Sequence, residues 1–532
     1  MRTGILKWAA SFLLVSAVIT TEAQITDELL QLSTQNIQGT ARFSAMGGAF
    51  TALGGDFGAL SLNPAGIGTY RSSEISFTPA VTYDKTTTDF MNKSLSDSRT
   101  RFGLSNFGYV GTLLTKNTTG LVSLNFGIGY NKTANFNKRT RMEGWDSPNT
   151  LVNSFVDYAN NAFGGQGLNP DYLMNDYRDI LPEDWTTSMA FYGNGKDHTP
   201  ADGLILDDGT KYYQDHFNNA HDLVDIAGRS IQKGSTGEYV LSFGGNISNK
   251  FQFGITLGMQ DLEYHSENIY NEVYVEGNIG LTDPDGYHYM FNSLQRGEYS
   301  YTSGFGVNVK TGIIFKPIDA FRIGLAFHSP TWYNMKREYN TYLDYSIYDA
   351  NANRDINSSS DSPVDLYEYR LQTPYRLQVG IAYIMGKVGL ISVDYEFVGN
   401  KGMRIHDDLA NSDFAHERND IIKDTYKGSS NIRAGIEFNL PYGFMVRGGF
   451  NYLESPYNDT DLDFDRYGYS AGFGYRNKWF FADFAYTLNT GKYHYAPYFV
   501  NDNRIRKTDV NAVAAVEKEN TNIFLATIGF KF

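Results

Sequence analysis

The chain has no cysteine, no apolar run long enough to make a membrane helix, and no excess of basic residues. The first absence removes disulfides, thiolate metal sites and a lipid-modified cysteine anchor. The second removes helical spans, which need roughly 18–20 consecutive apolar residues. The third argues against nucleic acid as a partner, because the formal net charge is −14 and a phosphate backbone is held by basic surface. Chemistry is missing as well. There is no nucleotide-binding loop, no Gly-x-Ser-x-Gly elbow and no nucleophile–base pair, so no catalytic residue and no enzyme activity are assigned. His216 and His221 lie five apart and miss the i, i+4 spacing of a shared helix face. Asp202-Gly203, Asp207-Asp208-Gly209 and Asp283-Pro-Asp-Gly286 lack the twelve-residue calcium spacing and read as turns. No metal and no cofactor are expected.

What the chain does have is tyrosine (39), phenylalanine (36), glycine (53) and a period of two. The last ten residues, Ile523 to Phe532, alternate strictly and end on an aromatic residue. Phe524, Ala526, Ile528, Phe530 and Phe532 fall on one face, and Leu525, Thr527, Gly529 and Lys531 on the other. A closed outer-membrane barrel needs such a strand, apolar toward lipid and paired with the first strand. Fourteen segments of this kind are placed near 74–84, 102–114, 119–131, 237–248, 250–262, 299–315, 320–331, 369–385, 387–398, 428–440, 442–454, 467–477, 478–489 and 521–532. The links between them alternate between tight turns and long polar stretches, among them 85–101, 132–236, 263–298 and 332–368. Short periplasmic turns and long extracellular loops are the pattern of an up-and-down barrel. The fold expected is an all-β, 14-stranded antiparallel transmembrane barrel of the bacterial outer membrane, monomeric because a closed barrel has no free edge.

Residues 1–23 read as a signal peptide, with Arg2 and Lys7 before an apolar run and Thr21-Glu-Ala23 before the cleavage point. Residues 24–73 break the strand pattern. An amphipathic helix at 25–32 leads into a stretch of small residues from Gly39 to Asp56, then Leu62-Asn63-Pro64-Ala65-Gly66. Small residues let a backbone pack against a crowded wall, so this segment is expected inside the lumen as a plug, with the barrel at 74–532.

The small-residue stretch and Asn63-Pro64-Ala65-Gly66 resemble the N-terminal hatch of the FadL/TodX family of outer-membrane transporters of hydrophobic compounds. Arg322-Ile-Gly-Leu-Ala-Phe-His-Ser-Pro330, Thr373-Pro-Tyr-Arg-Leu-Gln-Val-Gly380 and Val446-Arg-Gly-Gly-Phe-Asn-Tyr452 are also similar to it. Many chains of this branch carry a hemin-receptor label, which is a name rather than an observation. The resemblance implies passive uptake of fatty acid-like or aromatic compounds through an extracellular groove, a plugged lumen and a lateral exit. It makes Asn63, Pro64, Ala65 and Gly66 the plug or gate. The expected partners are a hydrophobic ligand, outer-membrane lipid and lipopolysaccharide, and the barrel-assembly machinery, met through the Phe532 strand. A barrel that binds a protein partner or serves secretion is the alternative.

Ligand contacts are sought at inward Arg322, Arg376, Arg433 and Arg447, since a guanidinium pairs bidentately with a carboxylate. The other reading of these residues is a neutralising network with Asp394, Glu396, Glu437 and Asp483. In loop 132–236, helix-like runs at 149–158 and 215–226 carry apolar stripes that include Phe155 and Phe217. Each stripe either opens to ligand or packs in a loop cap.

Overall fold

The computed structural model describes residues 22–532 apart from 37, 166, 193–198, 206–210, 216–222, 276–279, 283–287, 407–411, 459–463, 496–497 and 499–514. Fourteen antiparallel strands close into one barrel. They are β1 (Glu74–Phe90), β2 (Lys93–Leu114), β3 (Leu121–Asn135), β4 (Val224–Ile247), β5 (Phe251–Tyr274), β6 (His288–Ile318) and β7 (Phe321–His328 continuing as Trp332–Asp349). After these come β8 (Asp365–Gln372 and Arg376–Ile384), β9 (Gly389–Val398), β10 (Ser429–Asn439), β11 (Phe444–Leu453), β12 (Arg466–Arg476), β13 (Phe480–Tyr495) and β14 (Ala515–Lys531). Closure is made by β14 on β1, from Lys531 opposite Glu74 to Val516 opposite Asp89. The terminal Phe532 amide donates to the Ser73 carbonyl at 3.0 Å, so the chain end is tied to the start of the wall.

Alternation sorts the wall as lipid on one side and a polar lumen on the other require. On β14, Phe524, Ile528 and Phe530 are exposed outward, whereas Leu525 and Thr527 are each 1% exposed. The same holds on β5, where Phe253, Ile255 and Leu257 face out and Gln252 and Thr256 are buried. Aromatic pairs at strand ends split: Trp332 points out, while Tyr333 turns inward and donates to the Gln260 side chain.

The strands are longer than the apolar segments, because the period of two continues above the lipid with polar residues on both faces. Residues 85–101 are therefore a hairpin rather than a loop: β1 and β2 stay paired up to Phe90 opposite Lys93. Its two-residue tip, Met91-Asn92, has φ of 43° and 64°, the left-handed pair that matches strand twist in a tight hairpin. Much of 263–298 and 332–368 is likewise strand. In loop 132–236 the strand Lys138–Ser147 pairs with β4, and the helix Leu151–Gly165 forms within the first helix-like run and beyond it. The expected second helix does not form at either end of its range. Lys211–Asp215 and the residues from Val224 onward are strand, with β-branched Val224 and Ile226 seated in a core; 216–222, and Phe217 with them, lie outside the described residues.

Residues from the helix Glu22–Ser33 to Arg71 fill the lumen, and almost every side chain from Gln38 to Gly68 is buried. Above them the loops form a cap around Leu151, Val152, Phe155, Trp185 and Met189.

Candidate functional site: the plug and the wall around it

The plug fits because the wall makes room for it. At plug level, neighbouring strands place glycines opposite one another, Gly244 with Gly254, Gly254 with Gly312, Gly324 with Gly380, and Gly435 with Gly449. A Cβ on any of these inward positions would come within 3.0 Å of plug backbone or of a side chain beside it. At Gly254 it would meet Ala65 N at 2.7 Å, and at Gly435 the Met46 carbonyl at 2.5 Å. The small residues of the plug are thus half of a two-sided arrangement.

Asn63 is fully buried and organises the plug's centre. Its side-chain oxygen accepts from Ala65 N–H at 3.0 Å and caps the short helix Pro64–Thr69, in which proline takes the first position and gives up no needed donor. Its amide donates to the Thr51 carbonyl at 2.6 Å and to the Ile313 carbonyl of β6 at 3.3 Å. Pro64 and Gly66 set the approach to Gly254 and Gly54 respectively, and Ala65 is fully buried.

Of the four predicted arginines, three face carboxylates. Arg447 lies between Glu437 (2.6 Å) and Asp483 (2.7 Å). Arg433 and Arg376 share Glu396, at 2.7 and 3.5 Å. Arg322 has no ion pair among the described residues and donates to the plug's Leu53 carbonyl at 2.9 Å. Plug carbonyls recur as acceptors: Arg376 donates to Ser33 O, and Lys310, held by Glu238, donates to Ser61 O at 3.0 Å. His328 bonds to Leu62 O at 2.7 Å. From the plug side, Arg42 reaches Glu437 through two nitrogens (2.9 and 3.2 Å), and Thr51 N–H donates to Asp394 at 2.7 Å. The inward charges therefore form the neutralising network and, in addition, latch the plug. Phe155 is 6% exposed and packs inside the cap, so its stripe presents no open groove.

Beside the plug lies a cavity of about 50 Å³ bordered by Phe43, Gly48, Leu62, Arg433, Asn451 and Leu525. Its lining mixes apolar and polar groups, and it has room for roughly three or four waters.

Among the described residues, the ladder of the wall is interrupted between β2 and β3. The β2–β3 ladder stops at Asn106 opposite Asn131, yet β2 continues for thirteen residues to Lys93, roughly 40 Å of strand. Lys138–Ser147 pairs with β4 alone and leaves that edge of β2 without a ladder. Plug residues sit at the foot of this seam. Asn36 and Gln38 amides donate to the Thr133 and Lys132 carbonyls of β3 at 2.6 and 3.1 Å, and Ser105 Oγ of β2 donates to the Gly39 carbonyl at 2.7 Å. A register shift at Lys132/Ala134 lets two successive β3 carbonyls serve the plug.

This arrangement of plug, capped barrel and wall has a solved counterpart. A FadL homologue of Pseudomonas aeruginosa superimposes with a TM-score of 0.50 at 12% identity, over 93% of this chain and 99% of that one. The chain has the fold of a FadL homologue. The Ralstonia pickettii toluene transporter TbuX (13% identity, 94% and 100% of the chains, TM-score 0.47) and the P. putida toluene transporter TodX (10%, 94% and 99%, 0.47) are also similar. No protein-family model matches the chain, and no curated protein matches its sequence. Nothing in the FadL-like fold or in these relatives supports the hemin-receptor label.

The sequence reading missed the wall glycines and the seam. The glycines were visible as inward members of alternating strands, for example Gly254 between Phe253 and Ile255. The seam had no local signal, because it follows from where one ladder ends.

Proposed function

We propose that the chain is a passive outer-membrane channel for hydrophobic or amphiphilic small molecules, fatty acid-like or aromatic. They enter beneath the extracellular cap, are held back by the plug and leave sideways at the foot of the β2–β3 seam, where Phe102 and Leu104 are exposed outward. A lateral exit spares an apolar molecule from crossing water, and its transfer into lipid is favoured by about 0.8 kcal/mol for each CH₂ removed from water. One observation carries the reading: Asn36, Gln38 and Gly39 bond to both sides of the foot of the seam. Plug and wall opening are therefore one device. Movement of the plug linker frees both the lumen and the unpaired edge of β2, while Asn63 holds the centre of the plug to β6.

The test is uptake of a radiolabelled long-chain fatty acid and of toluene by cells carrying native chain, a 24–73 deletion, or Asn63→Ala/Pro64→Ala. Both variants should insert as barrels and change uptake. Unchanged uptake by correctly inserted variants contradicts gating by the plug.

A further inference from the structure

The lumen arginines are committed to carboxylates and plug carbonyls, whereas at the seam Arg101 meets Asp84 at 3.4 Å and Arg141 meets Glu143 at 3.3 Å, but Arg99 and Arg139 meet no carboxylate among the described residues. Above the point where β2 leaves β3, the inner face of β2 carries Lys93, Asp97, Arg99 and Arg101. It faces the strand Lys138–Ser147: Lys93 Nζ lies 3.4 Å from Glu143 and 3.9 Å from the Trp145 ring centre. A cleft of about 410 Å³ opens here, bordered by Asp97, Arg139, Arg141, Glu143, Arg229 and Asn271. Arg99 and Arg139 both act on Arg101 as repelling charges. The cleft lining holds three cations (Arg139, Arg141, Arg229) and two carboxylates (Asp97, Glu143), and Lys93, Arg99 and Arg101 of β2 adjoin it with Asp84, in a chain whose net charge is −14.

Two features set this cluster apart from a solvated charged face. Arg141 and Arg229 are directly opposed in the antiparallel ladder, where like charges destabilise the pair. Arg99 Nη1, Arg101 Nε and Arg139 Nε are buried and have no hydrogen-bond partner, and neither Arg99 nor Arg139 makes an ion pair with any described residue. Buried guanidinium nitrogens left unpaired are costly, and an oxyanion is what satisfies them. The cluster also leads to the plug: Lys132, whose carbonyl accepts from Gln38, senses the charges of Arg101 and Asp84.

We propose that this cleft binds the oxyanion head group, carboxylate or phosphate, of an amphiphile whose tail lies along the seam. The assignment rests on the channel reading above and narrows its substrate class from apolar compounds in general to anionic amphiphiles.

The full chain in fatty acid-free nanodiscs would be titrated with dodecanoate, dodecyl phosphate, neutral dodecanol and inorganic phosphate. At least one anionic amphiphile should bind ten-fold or more tightly than dodecanol and should weaken as salt rises. The tighter of the two anions names the head group. Arg101→Gln/Arg139→Gln should lose at least ten-fold for that anion and stay within two-fold for dodecanol. Arg141→Gln removes one side of the Arg141–Arg229 repulsion, so it should fold and still lose several-fold. Lys85→Gln, on the outer face of the same hairpin, should change nothing. Equal binding of dodecanol and both anions overturns the proposal, as does inorganic phosphate binding as tightly as dodecyl phosphate, or unchanged affinity in the folded arginine variants. Dodecanol flux through proteoliposomes, measured in parallel, separates the two ideas. Flux without anion preference leaves the channel and removes the site; anion binding without any flux leaves the site and removes the channel.

Discussion

Replacing Gly254 by alanine puts one methyl group where the wall and the plug already touch. The new Cβ would come closest to the Pro64 carbonyl group and stand 2.7 Å from Ala65 N, against 3.4–4 Å for ordinary contact, so the plug must retreat by more than about 0.7 Å. Backbone is what it meets, and no rotamer change relieves it. Overpacking of this kind costs about 1–3 kcal/mol. A shift of that size also stretches the three Asn63 hydrogen bonds, each worth about 1 kcal/mol. The seated plug should therefore lose on the order of 4 kcal/mol, roughly a thousand-fold in its closed-to-open ratio. The barrel should not suffer, since alanine is tolerated better than glycine in a strand. Single-channel conductance and protease access to residues 24–73 read the plug; heat-modifiable gel mobility reads the barrel. Raised conductance and faster cleavage in an intact barrel are expected. Unchanged conductance and protection in Gly254→Ala would refute the tight seating.

Asn63→Ala strands the Thr51 and Ile313 carbonyls and the Ala65 amide, and should loosen the plug by about 3 kcal/mol, seen as faster hydrogen exchange across Pro64–Thr69. Arg42→Ala leaves Glu437 with Arg447 alone, and by the cost of breaking a buried pair, about 3–5 kcal/mol, should raise conductance. Deleting Phe532 removes the bond to Ser73 and the stack on Tyr109 at 6.3 Å, and should lower the yield of assembled barrel in a pulse-chase assay. In the cap, burial raises the Asp184 carboxyl above its usual range, against the pull of hydrogen bonds from Tyr158 and Tyr172. A raised folded value means stability that is complete below the unfolded value and is lost as pH rises through the folded one. Protection factors in cap helix Leu151–Gly165, with the intrinsic pH dependence of exchange divided out, should accordingly be lower at pH 8 than at pH 4, and Asp184→Asn should flatten that difference.

The barrel was legible because its signal is local and repeated. Alternation on β5, β10 or β14 specifies which side chains meet lipid, and the even count with sorted loops specifies closure. Strand ends were less legible. Ser94, Ser96 and Ser98 alternate with Asp97, Arg99 and Arg101, which is still a period of two, but no longer one of apolar against polar. The plug was readable from its small residues, while the partner glycines in the wall needed the register. The arginines illustrate the limit of composition: Arg447 and Arg99 look alike in sequence, and only the three-dimensional placement of Glu437 and Asp483 shows that one is neutralised and the other is not.

The central claim is that cargo leaves where the plug linker bonds to the unpaired wall, and a cysteine-free chain allows that point to be locked. Gln38→Cys/Lys132→Cys joins two residues whose backbones are already hydrogen-bonded, a separation a disulfide can span. Flux of dodecanoate and of dodecanol through proteoliposomes would be measured before and after oxidation, with bond formation followed by gel mobility. The account predicts that oxidation stops flux of both and that reduction restores it. Undiminished flux through a fully cross-linked barrel would contradict it.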